Sequence, residues 1–353
     1  MNICNTSSSN KYDLSISNSD EKKKILVVGP DWVGDMVMAQ SLFKTLKGQN
    51  PDCIIDVLAP TWSLPLLIRM PEINQAIALP IAHGKLSLKT RYSVGRQLRV
   101  NKYDQAITLP RSFKAALVPF FAKISLRTGY RGEMRYGLVN DIKTLDEDIL
   151  TQTVQRSTAL AYNEELNAAP KVHQPKLNID KANREWFIKD LKLQTNKPVI
   201  AFMPGAEYGE AKRWPTDYFR QLAEMLVSNG YRIWVLGSEK EADLAQSISD
   251  GYEEDVINLC GKTKLEDVID LLSGVDTAVS NDSGLMHIAC AVGIKVIAIY
   301  GSSDPKYTPP LSDNAAVIYL NMPCSPCFQR TCQFEHLECL RDIKPLDVFN
   351  RIY

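Results

Sequence analysis

Two series of short apolar segments that alternate with helical patterns constrain the fold of this chain more than any other feature. The first series has predicted strands at 24–29, 54–59, 76–79 and 105–109, with a helix over 36–46. The second has predicted strands at 199–203, 232–237, 256–260, 277–280 and 296–300, with helices at 216–228, 264–273 and 285–292. Apolar strands that alternate with helices form parallel sheets. The sequence therefore predicts an α/β protein with two Rossmann-like domains that face each other across a cleft.

The segment between the two series is predicted to be a linker. A helix is expected over 150–166, and residues 169–180 then contain two prolines and no helical or strand period. A chain of 353 residues is long enough for two domains. We predict a disordered tail at 1–20, an N-terminal domain at 21–170 and a C-terminal domain at 171–353, which includes a cysteine-rich segment at 324–339.

The overall composition excludes some classes of function. Lys plus Arg and Asp plus Glu both number 41, so bulk attraction to nucleic acid is not expected. Apolar runs are far shorter than the roughly 20 residues of a membrane span, and residues 1–20 lack the apolar core of a signal peptide. We expect a cytoplasmic protein whose eight cysteines are reduced.

Positive charge is concentrated in one segment. Residues 85–135 contain twelve basic and two acidic residues, a difference of +10. This segment could be a solvated surface, or it could attract an anionic substrate or an anionic membrane surface. Arg111 and Lys114 within it are candidate contacts to an anionic acceptor.

Glycine-containing corners follow three of the predicted strands. The first corner, at 29–35, is neither G-x-G-x-x-G nor a P-loop, so it does not indicate a dinucleotide or nucleoside triphosphate site. It places Asp35 at the start of a helix, either as an N-cap or as a general base. A helix N-terminus favours the ionised carboxylate that a base requires.

The second and third corners favour anion binding. The second, at 204–215, has Gly205 and the adjacent cations Lys212 and Arg213 before a helix, which is typical of a phosphate loop but also of an ordinary surface loop. The third, at 280–287, places Asp282 and Ser283 at a helix start. His287 lies one turn further, where it could be functional or purely structural.

The three corners, in this order, resemble those of the ADP-heptose:lipopolysaccharide heptosyltransferases of glycosyltransferase family 9, and are most similar to the heptosyltransferase II group. The motifs that carry the resemblance are Trp32-Val33-Gly34-Asp35-Met36-Val37-Met38, Tyr208-Gly209 with Ala211-Lys212-Arg213-Trp214-Pro215, Asn281-Asp282-Ser283-Gly284-Leu285-Met286-His287, and Tyr300-Gly301 with Thr308-Pro309-Pro310. The resemblance extends from about residue 24 to about residue 311.

The resemblance implies a GT-B fold and an inverting, metal-independent transfer of heptose from ADP-L-glycero-D-manno-heptose onto the inner-core heptose of lipopolysaccharide. It places the catalytic base at Asp35 and implies no cofactor for catalysis. The donor-binding positions that it implies are Gly205, Glu207, Tyr208, Lys212, Thr263, Asp282, Ser283, Gly284 and His287. The expected partners are ADP-heptose, the anionic lipopolysaccharide core and, peripherally, the inner face of the cytoplasmic membrane. The protein is expected to be a monomer.

Two further motifs could bind metal. Cys324, Cys327, Cys332 and Cys339 have a spacing that suggests zinc or an iron–sulfur cluster, although reduced thiols in a packed loop and disulfides remain alternatives. Asp146 and Asp148 match a D-x-D metal motif formally, but we interpret them as the acidic start of the 150–166 helix.

Other functions remain open at this point. Within the transferases, the alternatives are heptosyltransferase I or a transferase for another nucleotide sugar. From other classes, the alternatives are a nucleotide-sugar epimerase of the same fold and a catalytically silent membrane-surface module. The presence of Asp35, Lys212 and His287 argues against the silent module.

Overall fold

The computed structural model describes residues 22–82 and 84–352, so the predicted tail at 1–20 lies outside the described residues. Two six-stranded sheets form its framework, and every pair of neighbouring strands in them is parallel. The predicted α/β class and the two-sheet architecture are confirmed.

The first sheet has the strand order β3-β2-β1-β4-β5-β6. Its strands are β1 (Lys24–Val28), β2 (Ile54–Pro60), β3 (Gln75–Leu79), β4 (Gln105–Thr108), β5 (Leu126–Tyr130) and β6 (Asp141–Lys143). The central strands are almost fully buried, as expected for a parallel sheet covered on both faces. The direction of strand addition reverses between β1 and β4.

The second sheet repeats this plan with the order β12-β11-β10-β7-β8-β9. Its strands are β7 (Val199–Met203), β8 (Arg232–Val235), β9 (Val256–Asn258), β10 (Thr277–Asn281), β11 (Lys295–Ile299) and β12 (Ala315–Ile318). Here the order reverses between β7 and β10. In open α/β sheets, ligands bind beyond the carboxyl ends of the strands at such a reversal.

Helices cover both sheets. They are α1 (Val33–Gln49), α2 (Leu64–Leu67), α3 (Leu88–Leu98), α4 (Leu117–Phe121), α5 (Thr153–Ala159), α6 (Lys181–Asp190), α7 (Thr216–Ser228), α8 (Ala242–Ser249), α9 (Leu265–Leu272), α10 (Gly284–Val292), α11 (Glu338–Arg341) and α12 (Pro345–Ile352). In α7, Phe219, Leu222, Ala223 and Leu226 are buried, and this spacing places one apolar stripe against the sheet. None of the described helices is long and apolar enough to cross a bilayer.

The predicted linker is irregular, as expected, but hydrogen bonds attach it to both halves of the molecule. The side chain of Gln40 in α1 donates to the carbonyl of Lys176 and accepts from its N–H, both at 2.8 Å. The N–H of Leu177 donates to the carbonyl of Ala291 in α10. Arg69 also forms an ion pair at 2.7 Å with the buried Asp270. The two sheets are therefore connected by polar contacts as well as by the chain.

The helix predicted over 150–166 is much shorter in the structure. Only α5, at 153–159, is helical, because the polar residues at 162–165 pack against little and are half-buried or exposed. The interpretation of Asp146 and Asp148 as the start of this helix is consequently wrong. Asp146 Oδ1 accepts from the N–H groups of Asp148 and Ile149 in a separate turn, and the N-cap of α5 is Gln152.

Candidate active site

The candidate site is built from the segments that follow four strands, two in each sheet, at the points where the strand order reverses. From the first sheet come residues 30–35 after β1 and 109–114 after β4. From the second come residues 204–214 after β7 and 282–287 after β10. All three corners that the sequence singled out lie at these reversals. The strand topology therefore explains why distant segments can form a single site.

Asp35 is a half-buried residue in the first turn of α1, and it lines the interdomain side of the β1 corner. It is not the N-cap, because Trp32 occupies that position without a side-chain capping bond. The capping role is therefore wrong for Asp35. Burial raises the pKa of its carboxyl to about 6, Lys212 opposes this shift, and the negative charge of Asp282 adds to it. A carboxylate with this pKa is a stronger base than a solvated one and is still mostly ionised at neutral pH.

Lys212 and Asp282 form a largely buried ion pair beside Asp35. Lys212 Nζ lies 2.5 Å from Asp282 Oδ2, and the hydroxyl of Ser303 donates to the same oxygen at 2.6 Å. The lysine comes from the loop after β7 and the aspartate from the end of β10. Asp282 therefore positions the ammonium group at the carboxyl ends of the strands.

Asn281 connects these two loops. Its side-chain oxygen accepts from the N–H of Trp214 at 2.9 Å, and its amide donates to the carbonyl of Pro204 at 2.7 Å. The neighbouring Arg213 points away from Asp282, because its guanidinium donates to the carbonyl of Ala206. Of the two adjacent cations in this corner, only Lys212 is paired with Asp282.

The N-termini of α1 and α10 meet through two glycines. A Cβ on Gly34 would lie 2.7 Å from Cδ2 of His287, and one on Gly284 would lie 2.6 Å from Cβ of Val33. Burial lowers the pKa of His287 to about 4, so its imidazole is neutral at physiological pH. Ser283 is the N-cap of α10 but makes no side-chain capping bond. The first N–H groups of α10 are thus not capped by this side chain and can bind an anion.

A cavity of about 480 Å³ opens beside Asp35. Among the residues that line it are Trp32, Asp35, Arg111, Lys114, Arg156 and Tyr307. The candidate acceptor contacts Arg111 and Lys114 thus share one cavity with the candidate base. Arg156 and Tyr307 were not predicted from the sequence, because neither belongs to one of the three glycine-containing corners. The Arg156 guanidinium lies 5.0 Å from the centre of the Tyr307 ring, and this cation–π contact links α5 to the loop after β11.

The other predicted donor positions are more dispersed. Tyr208 lies between two cations, with Lys212 Nζ 5.0 Å and the Arg330 guanidinium 5.2 Å from its ring centre. Thr263 Oγ1 is buried and has no hydrogen-bond partner among the described residues. Glu207 instead points to solvent in an exposed ion pair with Lys240. A Cβ on Gly205 would lie 2.9 Å from Cγ of Glu241, so close packing of the loop is one reason for glycine there.

The cysteine-rich segment forms a wall of the second corner. The carbonyl of Arg330 accepts from the N–H of Ala211, and the Tyr208 hydroxyl donates to the carbonyl of Phe328 at 2.6 Å. Cys324, Cys327, Cys332 and Cys339 are free thiols, so the disulfide alternative is wrong for these four. Within the described ranges 22–82 and 84–352, no group of three or more His, Cys, Asp or Glu residues has an arrangement that could hold a metal ion, which argues against the predicted metal cluster.

Known proteins are similar to this chain over most of its length. The family model described as Glycosyltransferase family 9 (heptosyltransferase) matches residues 91–338. Lipopolysaccharide heptosyltransferase 2 of Salmonella typhimurium is 46% identical over 306 residues, which cover 84% of this chain and 88% of the relative. Lipooligosaccharide heptosyltransferase 2 of Haemophilus influenzae is 46% identical over 309 residues, with the same coverage.

A solved structure agrees with these relatives. The structure of Escherichia coli ADP-heptose lps heptosyltransferase II superimposes with a TM-score of 0.83 at 41% identity, covering 93% of this chain and 97% of the other. The GT-B architecture that the corner motifs implied is therefore confirmed. The chain belongs to glycosyltransferase family 9, the heptosyltransferases.

Proposed function

We propose that this protein transfers L-glycero-D-manno-heptose from ADP-heptose onto the inner-core heptose of lipopolysaccharide, with inversion and without a metal ion. The observation that carries the proposal is the convergence of Asp35, the Lys212–Asp282 pair and the N-terminus of α10 at the reversals of the two sheets. The relatives named heptosyltransferase 2 support the choice of sugar and acceptor.

The proposed reaction is a single displacement. Asp35 accepts the proton of the acceptor hydroxyl, and the acceptor oxygen attacks the anomeric carbon of the donor heptose. The bond to the diphosphate breaks, and ADP leaves with the bonding electron pair. Attack from the face opposite the leaving group inverts the anomeric centre.

The departing diphosphate needs positive charge in a fixed position. Lys212 supplies an ammonium group held in place by Asp282, which offsets part of its charge, and the N–H groups at the start of α10 supply the positive end of a helix dipole. Ser283, Gly284 and His287 lie around this helix start, and Tyr208 and Thr263 are further candidates for donor contacts. Because His287 is neutral, it can donate a hydrogen bond but adds no charge.

The acceptor is proposed to enter the cavity beside Asp35. Its sugars carry phosphate and carboxylate groups, and Arg111, Lys114 and Arg156 give the lining a positive charge. We propose that the anionic acceptor binds on the side of the first sheet and the nucleotide on the side of the second. We further infer that the protein acts in the cytoplasm as a monomer, at the inner face of the membrane and without a nucleic-acid partner.

The deciding experiment combines the purified protein with ADP-heptose and defined truncated core glycolipids, followed by mass spectrometry of the lipid. We expect one added heptose on a core that already carries one heptose. Transfer to a core without heptose would indicate the heptosyltransferase I reaction instead. Release of nucleotide and free sugar without any acceptor would indicate the epimerase alternative. Activity with another nucleotide sugar but not with ADP-heptose would show that the donor is different.

A further inference from the structure

Helices α3 and α4 pack together and expose aromatic rings on one surface. Tyr92 of α3 is 44% exposed and Phe120 of α4 is 43% exposed. The half-buried Phe121 joins them, because its ring centre lies 5.2 Å from that of Tyr92 and 5.7 Å from that of Phe120. The exposed rings therefore belong to one continuous patch.

Cations surround this aromatic patch. The Arg96 guanidinium lies 5.8 Å from the Tyr92 ring centre, and that of Arg127 lies 5.8 Å from the Phe120 ring centre. Lys89 is exposed one turn before Tyr92, and Lys123 is exposed directly after α4. We call Lys89, Tyr92, Arg96, Phe120, Lys123 and Arg127 the basic–aromatic face.

Acidic residues are sparse in the sequence around the basic–aromatic face. No Asp or Glu occurs in 85–103 or in 111–132. Asp104 and Glu133 border these acid-free stretches, where they accept from the N–H groups of Lys24 and Phe113. Exposed aliphatic side chains at Leu88 and Val100 lie on and just after α3. The surface thus combines cations, rings and aliphatic groups.

This combination fits an anionic bilayer better than other large partners. Cations bind acidic headgroups, while aromatic and aliphatic side chains partition into the interfacial region. A nucleic acid would use the cations but leave the aliphatic groups exposed to water. A second copy of the chain would bring two positively charged faces together, which repel each other.

The face also lies next to the candidate acceptor cavity along the chain. Arg111 and Lys114 line the cavity, and the same segment continues directly into α4. A bilayer bound at α3 and α4 would therefore lie close to the entry point of a lipid-linked acceptor.

We propose that the basic–aromatic face docks the protein on the anionic surface of a membrane, and thereby brings the acceptor cavity to its lipid-anchored substrate. The second part of this inference rests on the proposed function, whereas docking itself does not. Membrane binding and heptose transfer can accordingly be tested separately.

The first test is co-sedimentation of the full chain with vesicles. We expect binding to phosphatidylcholine vesicles that contain phosphatidylglycerol, little binding to pure phosphatidylcholine, and weaker binding as salt is raised. Each cation near an anionic surface contributes about a fivefold gain in binding, so Lys89→Glu with Arg96→Glu should weaken partitioning by at least about 30-fold. Tyr92→Ala with Phe120→Ala should weaken it as well, even in low salt.

Matched controls lie on α6, at the second sheet. Lys181→Glu with Lys189→Glu makes the same charge change on another exposed helix, and Trp186→Ala removes another exposed aromatic ring. Both controls should bind vesicles like the wild type. Equal loss in the controls, equal binding of the wild type to neutral vesicles, or no binding to anionic vesicles would overturn the proposal. If the wild type were a dimer in solution and the face variants were monomers, the basic–aromatic face would be a self-association surface instead.

The second test separates docking from catalysis. With a water-soluble core oligosaccharide as acceptor, the face variants should keep the kcat/KM of the wild type, since none of the substituted residues lines the cavity. With acceptor glycolipid embedded in anionic vesicles, they should lose at least about tenfold. Equal activity on both acceptors would refute the link to substrate access. Absence of transfer by the wild type on either acceptor would refute the proposed function while leaving the vesicle result intact.

Discussion

The Cα of Gly34, in the first turn of α1, packs directly against the imidazole of His287 in the first turn of α10. A Cβ at position 34 would lie 2.7 Å from His287 Cδ2 and 3.2 Å from His287 Nε2. These distances are shorter than ordinary contacts between carbon or nitrogen and a methyl group. The helix that carries Asp35 can therefore approach the start of α10 this closely only because residue 34 has no side chain.

Gly34→Ala is expected to disturb the site and the packing between the two helices. The added methyl group must displace His287, and such overpacking costs about 1–3 kcal/mol in the free energy of unfolding. We also expect at least about a tenfold loss in kcat/KM. Gly48→Ala is the control, because it lies in the same helix with no atom within 4 Å of a Cβ there. It should leave activity unchanged and stabilise the protein by up to about 1 kcal/mol.

Asp35→Asn is expected to lower kcat by about 10²–10⁴-fold while ADP-heptose still binds, since a general base is lost. For the wild type, kcat/KM should fall as pH drops below about 6, because the Asp35 carboxyl becomes protonated.

The raised pKa of Asp35 also affects stability. The folded protein holds this proton more tightly than the unfolded chain, so this contribution to the free energy of unfolding declines as pH rises from about 4 to about 6. Asp35→Asn should therefore be at least as stable as the wild type at pH 8 by urea denaturation. Transfer by Asp35→Asn within a few-fold of the wild type would rule out the assigned base.

Lys212→Ala is expected to weaken donor binding and slow the chemical step, with a combined loss of at least about tenfold in kcat/KM. Lys212→Arg should restore only part of it, because a planar guanidinium does not replace a compact ammonium. Lys212→Met with Asp282→Asn should recover stability, since neither charge is left unpaired, but not activity. Arg213→Ala is the neighbouring control and should cost less, as Arg213 donates to a backbone carbonyl of its own loop. If Arg213→Ala weakened donor binding more than Lys212→Ala, then Lys212 would be the wrong residue to assign as the phosphate ligand.

Arg156→Ala is expected to raise the KM for the acceptor at least about fivefold while the KM for ADP-heptose stays unchanged, because this guanidinium lines the cavity that we propose for the acceptor. Tyr307→Phe should have a smaller effect, since it keeps the ring beneath the cation. Arg184→Ala, on α6 and in contact with Ser273, serves as the control. If Arg156→Ala changed the KM for ADP-heptose, the assignment of Arg156 to the proposed acceptor site would be wrong.

Treatment with EDTA is expected to leave the transfer rate unchanged, because in the proposed mechanism Lys212 and the start of α10, rather than a metal ion, stabilise the departing diphosphate. The rate should be compared before and after chelation and after addition of Mg²⁺, Mn²⁺ or Zn²⁺. Activity that is lost and then restored by Mg²⁺ or Mn²⁺ would contradict the proposed mechanism. Unfolding that is reversed by Zn²⁺ would instead point to the cysteine-rich segment.

Strands with long apolar runs could be predicted from the sequence, and β7 was predicted with its observed bounds. By contrast, β5, β6 and β12 were missed. In β5 the apolar pattern is interrupted by Arg127 and Gly129, β6 has three residues of which two are charged, and β12 has four half-buried residues. Such strands are stabilised by pairing with a neighbour rather than by their own apolar pattern. The helix predicted over 150–166 was too long for a related reason: a helical pattern without a surface to pack against does not form a stable helix.

The sequence by itself determined the two-sheet α/β architecture, the three corners and the candidates Asp35, Lys212, Asp282 and His287, because each depends on local patterns of glycine, charge and apolar residues. Only the tertiary structure decided that Asp35 lies half-buried within the field of Lys212, that Ser303 supports Asp282, and that Arg156 stacks on Tyr307. These contacts join residues far apart in the chain. Their distances, and the pKa values that follow from burial, arise only when the carboxyl ends of the two sheets are brought together.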